Sequence, residues 1–298
     1  LPRAEMRVVA MQAPDAKLRY PKNLLGIIEH NNPASYAKIA KKLNRDKRVK
    51  LVNIQHEFGI FGGVWGEYVE IFLKELNKPA VITFHTILPE PEPIVLKRMS
   101  ALASLASGFI VMTANAKQIL ITDYHFPETK ITVIPHGIHP QLYISPEQGK
   151  INLSFSKAPI ISTFGLLNKS KGIEYIIASL PDVIKKFPTL RYLVIGKTHP
   201  EVKKTEGETY RESLKDLVVS LGLGAHVEFI DQYFKTPELL KYLQATDIYI
   251  SGSQDPHQAV SGTLSYAMGA GRPVISTKFS QALQDITPEV GALVPFKA

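Results

Sequence analysis

The sequence predicts an α/β protein made of two doubly wound parallel sheets in tandem, and three observations lead there. Short runs rich in valine and isoleucine alternate with longer amphipathic stretches, the pattern of strands buried on both faces and the helices that cover them. The 298 residues exceed one ordinary domain of about 150. A stretch without clean periodicity, Tyr143 to Lys157 with Pro146, Glu147, Gln148 and Gly149, divides the alternation in two.

In the first half, strands are predicted at Arg7 to Met11, Val49 to Gln55, Ala80 to Phe84, Gly108 to Met112 and Lys130 to Ile134. The helical period appears between them at Ser35 to Leu43, Val64 to Leu76, Ile94 to Ala106 and Ala114 to Tyr124. The second half repeats the scheme. Its strands are predicted at Ile160 to Phe164, Leu190 to Ile195, Val227 to Ile230, Ile248 to Ser251 and Pro273 to Ser276. Its helices are predicted at Gly172 to Lys186, Tyr210 to Leu221, Thr236 to Ala245 and Thr263 to Gly269. Two Rossmann-like domains follow, residues 1–145 and 146–298. Ligands of such sheets bind beyond the carboxyl ends of the strands, so the loops leaving those ends are where chemistry is sought.

Composition narrows the classes of function. With no cysteine, disulfides, zinc–thiolate sites and thiol nucleophiles are excluded. No apolar run reaches the roughly 18 residues of a membrane-spanning helix, and Leu1-Pro2-Arg3-Ala4-Glu5 lacks the layout of a leader, so a cytoplasmic protein is expected. The net charge of +8 favours anionic partners. Lys41, Lys42, Arg45, Lys47 and Arg48 read as a solvated face; nucleic acid is not expected, and only weak peripheral membrane contact is left open.

Several loops carry residues suited to chemistry. The second predicted strand runs into Gln55-His56-Glu57-Phe58-Gly59-Ile60-Phe61-Gly62-Gly63, where Gly62 and Gly63 offer close backbone approach to a phosphate or an acceptor, or serve the turn alone. The next ends in Thr83-Phe84-His85-Thr86, placing His56 and His85 on neighbouring strand ends. Glu90 follows in the proline-rich Pro89-Glu90-Pro91-Glu92-Pro93, bordering an acceptor or simply solvated. Ile134-Pro135-His136-Gly137 supplies a third histidine, His136, in a turn next to the linker, where it joins the other two or only shapes the linker. In the second half, Phe164-Gly165 leads through Lys169 to Lys171-Gly172 just before a helix, an arrangement suited to phosphate oxygens. The last loop, Ser251-Gly252-Ser253-Gln254-Asp255-Pro256-His257-Gln258-Ala259-Val260-Ser261-Gly262, opens the helix at Thr263, which Ser261 or Thr263 can cap.

Together these segments resemble glycosyltransferase family 4, of the GT-B fold. The resemblance is carried by Ile54-Gln55-His56-Glu57, Thr83-Phe84-His85-Thr86, Ile134-Pro135-His136-Gly137, Phe164-Gly165 through Lys171-Gly172, and Gly262-Thr263-Leu264-Ser265-Tyr266-Ala267-Met268-Gly269-Ala270-Gly271-Arg272-Pro273-Val274. It implies a retaining hexosyltransferase that moves a hexose, mannose or glucose, from a nucleotide-diphosphate sugar to a saccharide or glycoconjugate acceptor, with no cofactor and no metal. By the same resemblance His85 and His56 are the catalytic-side residues, and His85 touches the transferred sugar. Lys171 contacts the donor diphosphate, with Gly165, Lys169, Asp255, His257, Gln258, Val260, Ser261, Gly262, Thr263 and Tyr266 around the donor.

The sequence departs from the family pattern at three of these positions. Gln258 and Tyr266 stand where a pair of glutamates is usual, and Leu166 where an arginine assists the lysine. A lost charge-assisted bond weakens binding by about tenfold or more. This leaves a non-catalytic sugar or nucleotide-sugar binding module as the alternative, with another GT-B activity such as phosphorolysis or epimerisation behind it. The family's opening strand and closing helix are expected to be missing here.

Overall fold

A computed structural model of the protein describes residues 5–13 and 19–297. The opening residues 1–4, read above as unlike a leader, and the terminal Ala298 lie outside them. The chain forms two compact units, Leu1–Pro135 and His136–Ala298. Residues 136–145, grouped above with the first half, thus belong to the second unit.

The first unit runs β1 (Val8–Gln12), β2 (Leu24–Glu29), α1 (Pro33–Arg45), β3 (Val52–His56), α2 (Tyr68–Glu75), β4 (Ala80–Phe84), α3 (Pro93–Leu105), β5 (Gly108–Val111), α4 (Ala114–Thr122) and β6 (Ile131–Val133). Strands β3-β4-β5-β6 form one parallel sheet, while β1 and β2 pair in parallel as a separate two-stranded sheet. Strand β2 escaped the sequence reading because Gly26 interrupts its apolar run. The glycine is there for packing: a β-carbon on it would lie 2.7 Å from Ile39 Cδ1 of α1. The helix predicted from Val64 is also corrected at its start. Val64–Gly66 is a single 3₁₀ turn with Trp65 at φ 55°, and the α-helix begins only at Tyr68, because Gly63 and Gly66 take positive φ and break the run.

The second unit runs α5 (Pro146–Asn152), β7 (Ile160–Phe164), α6 (Ile173–Lys186), β8 (Arg191–Ile195), α7 (Pro200–Glu206), α8 (Thr209–Ser220), β9 (Val227–Ile230), α9 (Thr236–Ala245), β10 (Ile248–Ser251), α10 (Gly262–Gly269), β11 (Val274–Thr277), α11 (Ser280–Asp285) and β12 (Gly291–Val294). All six strands are parallel, in the order β12-β11-β10-β7-β8-β9. The chain therefore winds outward from β7 through β9, then returns to the other side of β7 at β10. That reversal opens a crevice beyond the carboxyl ends of β7 and β10, where open α/β sheets take their ligands. Apolar side chains bury on both sheet faces, Ile177, Leu180, Tyr192 and Leu214 on one and Leu193, Tyr249, Leu264 and Phe279 on the other.

The stretch read as a linker contains a helix. Ser145 caps α5 by accepting from the Gln148 amide, Pro146 occupies its first turn, and Gly149 lets it approach α9 so closely that a β-carbon would sit 2.3 Å from the Gln244 carbonyl oxygen. Lys150 then pairs with Asp247 at 2.6 Å, and that carboxylate also accepts from the Ile160 amide, so a buried ion pair ties α5 to the start of β7. Among the described residues no helix is long and apolar enough to cross a membrane.

Candidate functional site

In the first unit, β3 and β4 end side by side and bring His56 and His85 together, but at different depths. His85 is half-buried, and its Nε2 lies 2.8 Å from Gln55 Oε1. His56 is 1% exposed and ringed by Phe58, Phe61 and Phe84 at centroid distances of 5.2 to 5.6 Å. Burial, with a smaller contribution from His85, holds its imidazole down to about pH 4, so it is neutral at pH 7. The two histidines on neighbouring strand ends are therefore not equivalent: an apolar cage of three phenylalanines draws the His56 ring into the core.

The glycine turn serves the fold. The Gly62 amide donates to the Tyr36 hydroxyl at 2.9 Å, and a β-carbon there would lie 2.0 Å from the His30 carbonyl oxygen. With that donor occupied, Gly62 offers no amide to a phosphate, and Gly63, at φ 82°, completes the turn. Glu90 is exposed, also at positive φ, and its amide donates to Asp123.

The second unit brings Gly165, Lys171, Ser261, Gly262 and Thr263 together at the β7/β10 crevice. Strand β7 ends in Gly165 at φ 135°, beside Gly196 at the end of β8 at φ 136°. A β-carbon on Gly196 would lie 1.9 Å from the Gly165 carbonyl oxygen, so no other residue fits without moving a strand end. Gly196→Ala is expected to destabilise the protein by about 3 kcal/mol from strain and overpacking combined. Urea unfolding measures this, and a loss below about 1 kcal/mol would show that the strand ends yield.

A 3₁₀ turn, Lys169–Lys171, precedes α6. Gly172, at φ 57°, seats the turn against the β10 loop, where a side chain would strike the Gly252 carbonyl oxygen at 2.3 Å. Lys171 then folds back over Gly165: its Cε lies 3.9 Å from where a Gly165 β-carbon would be, and Thr263 Cγ2 lies 3.3 Å from the same point. The ammonium has no ion-pair partner among the described residues, and burial lowers its pKa. Lys169 is exposed.

Helix α10 opens beside this lysine. Ser261 caps it by accepting from the Leu264 amide at 3.2 Å, while Gln281 accepts from the Ser261 amide. The buried Tyr249 of β10 packs on Phe164 with ring centroids 5.5 Å apart, and its hydroxyl lies beside the Thr263 side chain, so it sits between β7 and α10. The amides of Gly262 and Thr263 donate to no backbone or side-chain acceptor among the described residues. Two free amides at the positive end of a helix, next to an unpaired ammonium, form a place for a dianion.

The remaining predicted residues mostly hold the loop. Gln258 accepts from Ser253 Oγ at 2.6 Å and donates to the Val260 carbonyl at 3.1 Å, so its amide is used internally. Asp255 accepts from the His257 amide at 2.9 Å, and both are exposed. Tyr266 stacks on His139 with ring centroids 6.0 Å apart, and its hydroxyl meets His139 Nδ1. Residues 136–144 lie along α10 in the same way: a β-carbon on Gly269 would collide with Ile138 Cδ1 at 1.8 Å, and Arg272, over the Tyr143 ring, donates to the Ile144 carbonyl at 3.0 Å. The sequence reading missed Gly196, Tyr249 and Gln281 as parts of the site. Only Gly196 left a signal, a glycine closing a strand just as Gly165 does.

Known proteins agree with this architecture. The family profile described as "Glycosyl transferases group 1" matches residues 145–298, and that described as "Glycosyltransferase Family 4" matches residues 5–142. A phosphatidyl-myo-inositol mannosyltransferase of Propionibacterium freudenreichii is 26% identical over 221 residues, covering 72% of this chain and 50% of that protein. An uncharacterized glycosyltransferase of Methanocaldococcus jannaschii is 27% identical over 194 residues, covering 62% and 45%. The chain thus spans about half the length of the curated relatives it matches. Among solved structures, Anabaena HepE in complex with UDP superposes with a TM-score of 0.73 at 17% identity, over 92% of this chain and 73% of that one.

Two parallel-sheet units of this kind are the architecture of the GT-B glycosyltransferases. Within that class, this chain belongs to the glycosyl transferases group 1 family, and its first unit is of the family 4 type.

Proposed function

We propose that the protein transfers a hexose, mannose or glucose, from a nucleotide-diphosphate sugar to a saccharide or glycoconjugate acceptor with retention of configuration. One observation carries the reading: the unpaired Lys171 ammonium beside the free amides of Gly262 and Thr263, at the switch point of the second sheet. Charge builds on the diphosphate as the glycosidic bond breaks, and preorganised donors in a water-poor crevice stabilise it most when it is fully developed. Those donors supply the stabilisation without a metal. In the first unit, His85 is the residue assigned to the transferred sugar, and His56 supports it from below. The donor class also has support in HepE, crystallised with UDP, and a mannosyl donor has support in the mannosyltransferase relative.

A panel of nucleotide sugars, assayed by calorimetry and by product formation in the presence of EDTA, tests this. Turnover of a hexosyl donor that falls at least tenfold in His85→Ala is the expected outcome; full activity in that variant removes His85 from the reaction. One observation favours the alternative of a binding module: Gln258 and Tyr266, which stand at the family's glutamate positions, are both occupied within their own unit. Donor binding with no turnover of any acceptor would establish it.

A further inference from the structure

We propose that His136 is a third donor to the diphosphate, alongside Lys171 and the α10 amides; the proposal rests on reading that crevice as the diphosphate site. His136 opens the second unit and lies against the first residue of α10. Its Nε2 is 3.3 Å and its Cε1 3.5 Å from the position a Gly262 β-carbon would take, so the ring packs closely against the opening of that helix. Its Nδ1 is buried and has no hydrogen-bond partner among the described residues. An orphaned buried imidazole nitrogen is unfavourable unless something outside the protein completes it.

The surroundings specify what that is. Of the unpaired groups nearby, the Gly262 and Thr263 amides and the Lys171 ammonium are donors, Gln254 Oε1 on the β10 loop is an acceptor, and among the described residues no carboxylate pairs with the lysine. A ligand that satisfies several converging donors at once is an oxyanion with several acceptor oxygens, and a diphosphate bears enough of them for one to accept a hydrogen bond from His136 Nδ1–H while the amides and Lys171 engage others. The rings and backbone along α10 keep the histidine in place: Ile138 packs on Gly269 and His139 on Tyr266, so the segment carrying His136 cannot swing away without unpacking that helix face.

Calorimetry with UDP and with inorganic pyrophosphate, on the wild type and on His136→Ala, His136→Asn and Lys171→Met, decides the matter. His136→Ala is expected to bind both probes about tenfold more weakly at an unchanged melting temperature, with His136→Asn, whose amide donates from near the Nδ1 position, recovering part of the loss. Histidine-selective ¹⁵N NMR is expected to show the His136 Nδ1 resonance moving on addition of pyrophosphate. If His136→Ala binds like the wild type while Lys171→Met does not, His136 has no part in binding and the site stands. If Lys171→Met also binds normally, or the wild type binds neither probe, the diphosphate site itself fails and the proposal with it. Should His136→Ala unfold, the NMR result decides alone: an Nδ1 resonance unmoved at saturation overturns the proposal.

Discussion

Lys171→Met is expected to lower glycosyl transfer by a hundredfold or more and to weaken binding of the nucleotide diphosphate, while the free protein loses no stability. The two halves of this result come from the same fact. Burial without an anionic partner makes the Lys171 ammonium unfavourable in the empty site, and depresses its pKa. Methionine keeps the length and packing of the side chain over Gly165 but carries no charge, so the empty protein keeps its stability or gains some. With ligand present the balance reverses, because a charge-assisted bond of about 1.5 to 3 kcal/mol disappears, and more is lost where the leaving group's charge is complete. Melting temperatures with and without UDP, measured beside turnover, check both halves. A variant that melts well below the wild type without nucleotide, yet still turns over, would mean that Lys171 is a structural residue.

The second large effect concerns acid stability. An imidazole lowered from an ordinary 6.5 to about 4 in the folded state is held neutral by the fold, while the unfolded chain takes up a proton as pH falls below about 6.5. The stability associated with His56 is therefore fully present above pH 6.5 and is lost as the pH drops toward 4, where the folded protein also protonates. Between pH 7 and 4.5 the loss is about 2 to 3 kcal/mol. His56→Leu, similar in volume and apolar within the Phe58, Phe61 and Phe84 cage, is expected to remove that part of the acid limb. Urea unfolding of both proteins at the two pH values measures it. An equal loss in variant and wild type would show that His56 is not the group responsible.

Both predictions depend on side chains whose types were plain in the sequence and whose environments were not. His56 and His85 were legible as a pair at neighbouring strand ends, since parallel strands three to five residues long put their carboxyl-terminal residues on one edge. Which of them faces outward depended on the cage around His56, and its phenylalanines come from the loop after β3 and from the end of β4. Lys171 was legible as a cation before a helix. That it lacks a counterion was not, because pairing is decided by which distant side chains arrive nearby, and none of the described carboxylates does.

Local pattern alone determined the alternation of strands and helices, the doubling of the α/β unit, and the loops that bear Lys171 and Gly262, because burial on two sheet faces imposes a periodicity that each segment carries in itself. Tertiary structure decided the rest. It split β1 and β2 from the main sheet of the first unit, turned the supposed linker into α5, spent the Gly62 amide on Tyr36 and the Gln258 amide on its own loop, and drew residues 136–144 onto α10. Each of these outcomes depends on partners far apart along the chain, whose meeting is a property of close packing and hydrogen-bond satisfaction rather than of any run of residues.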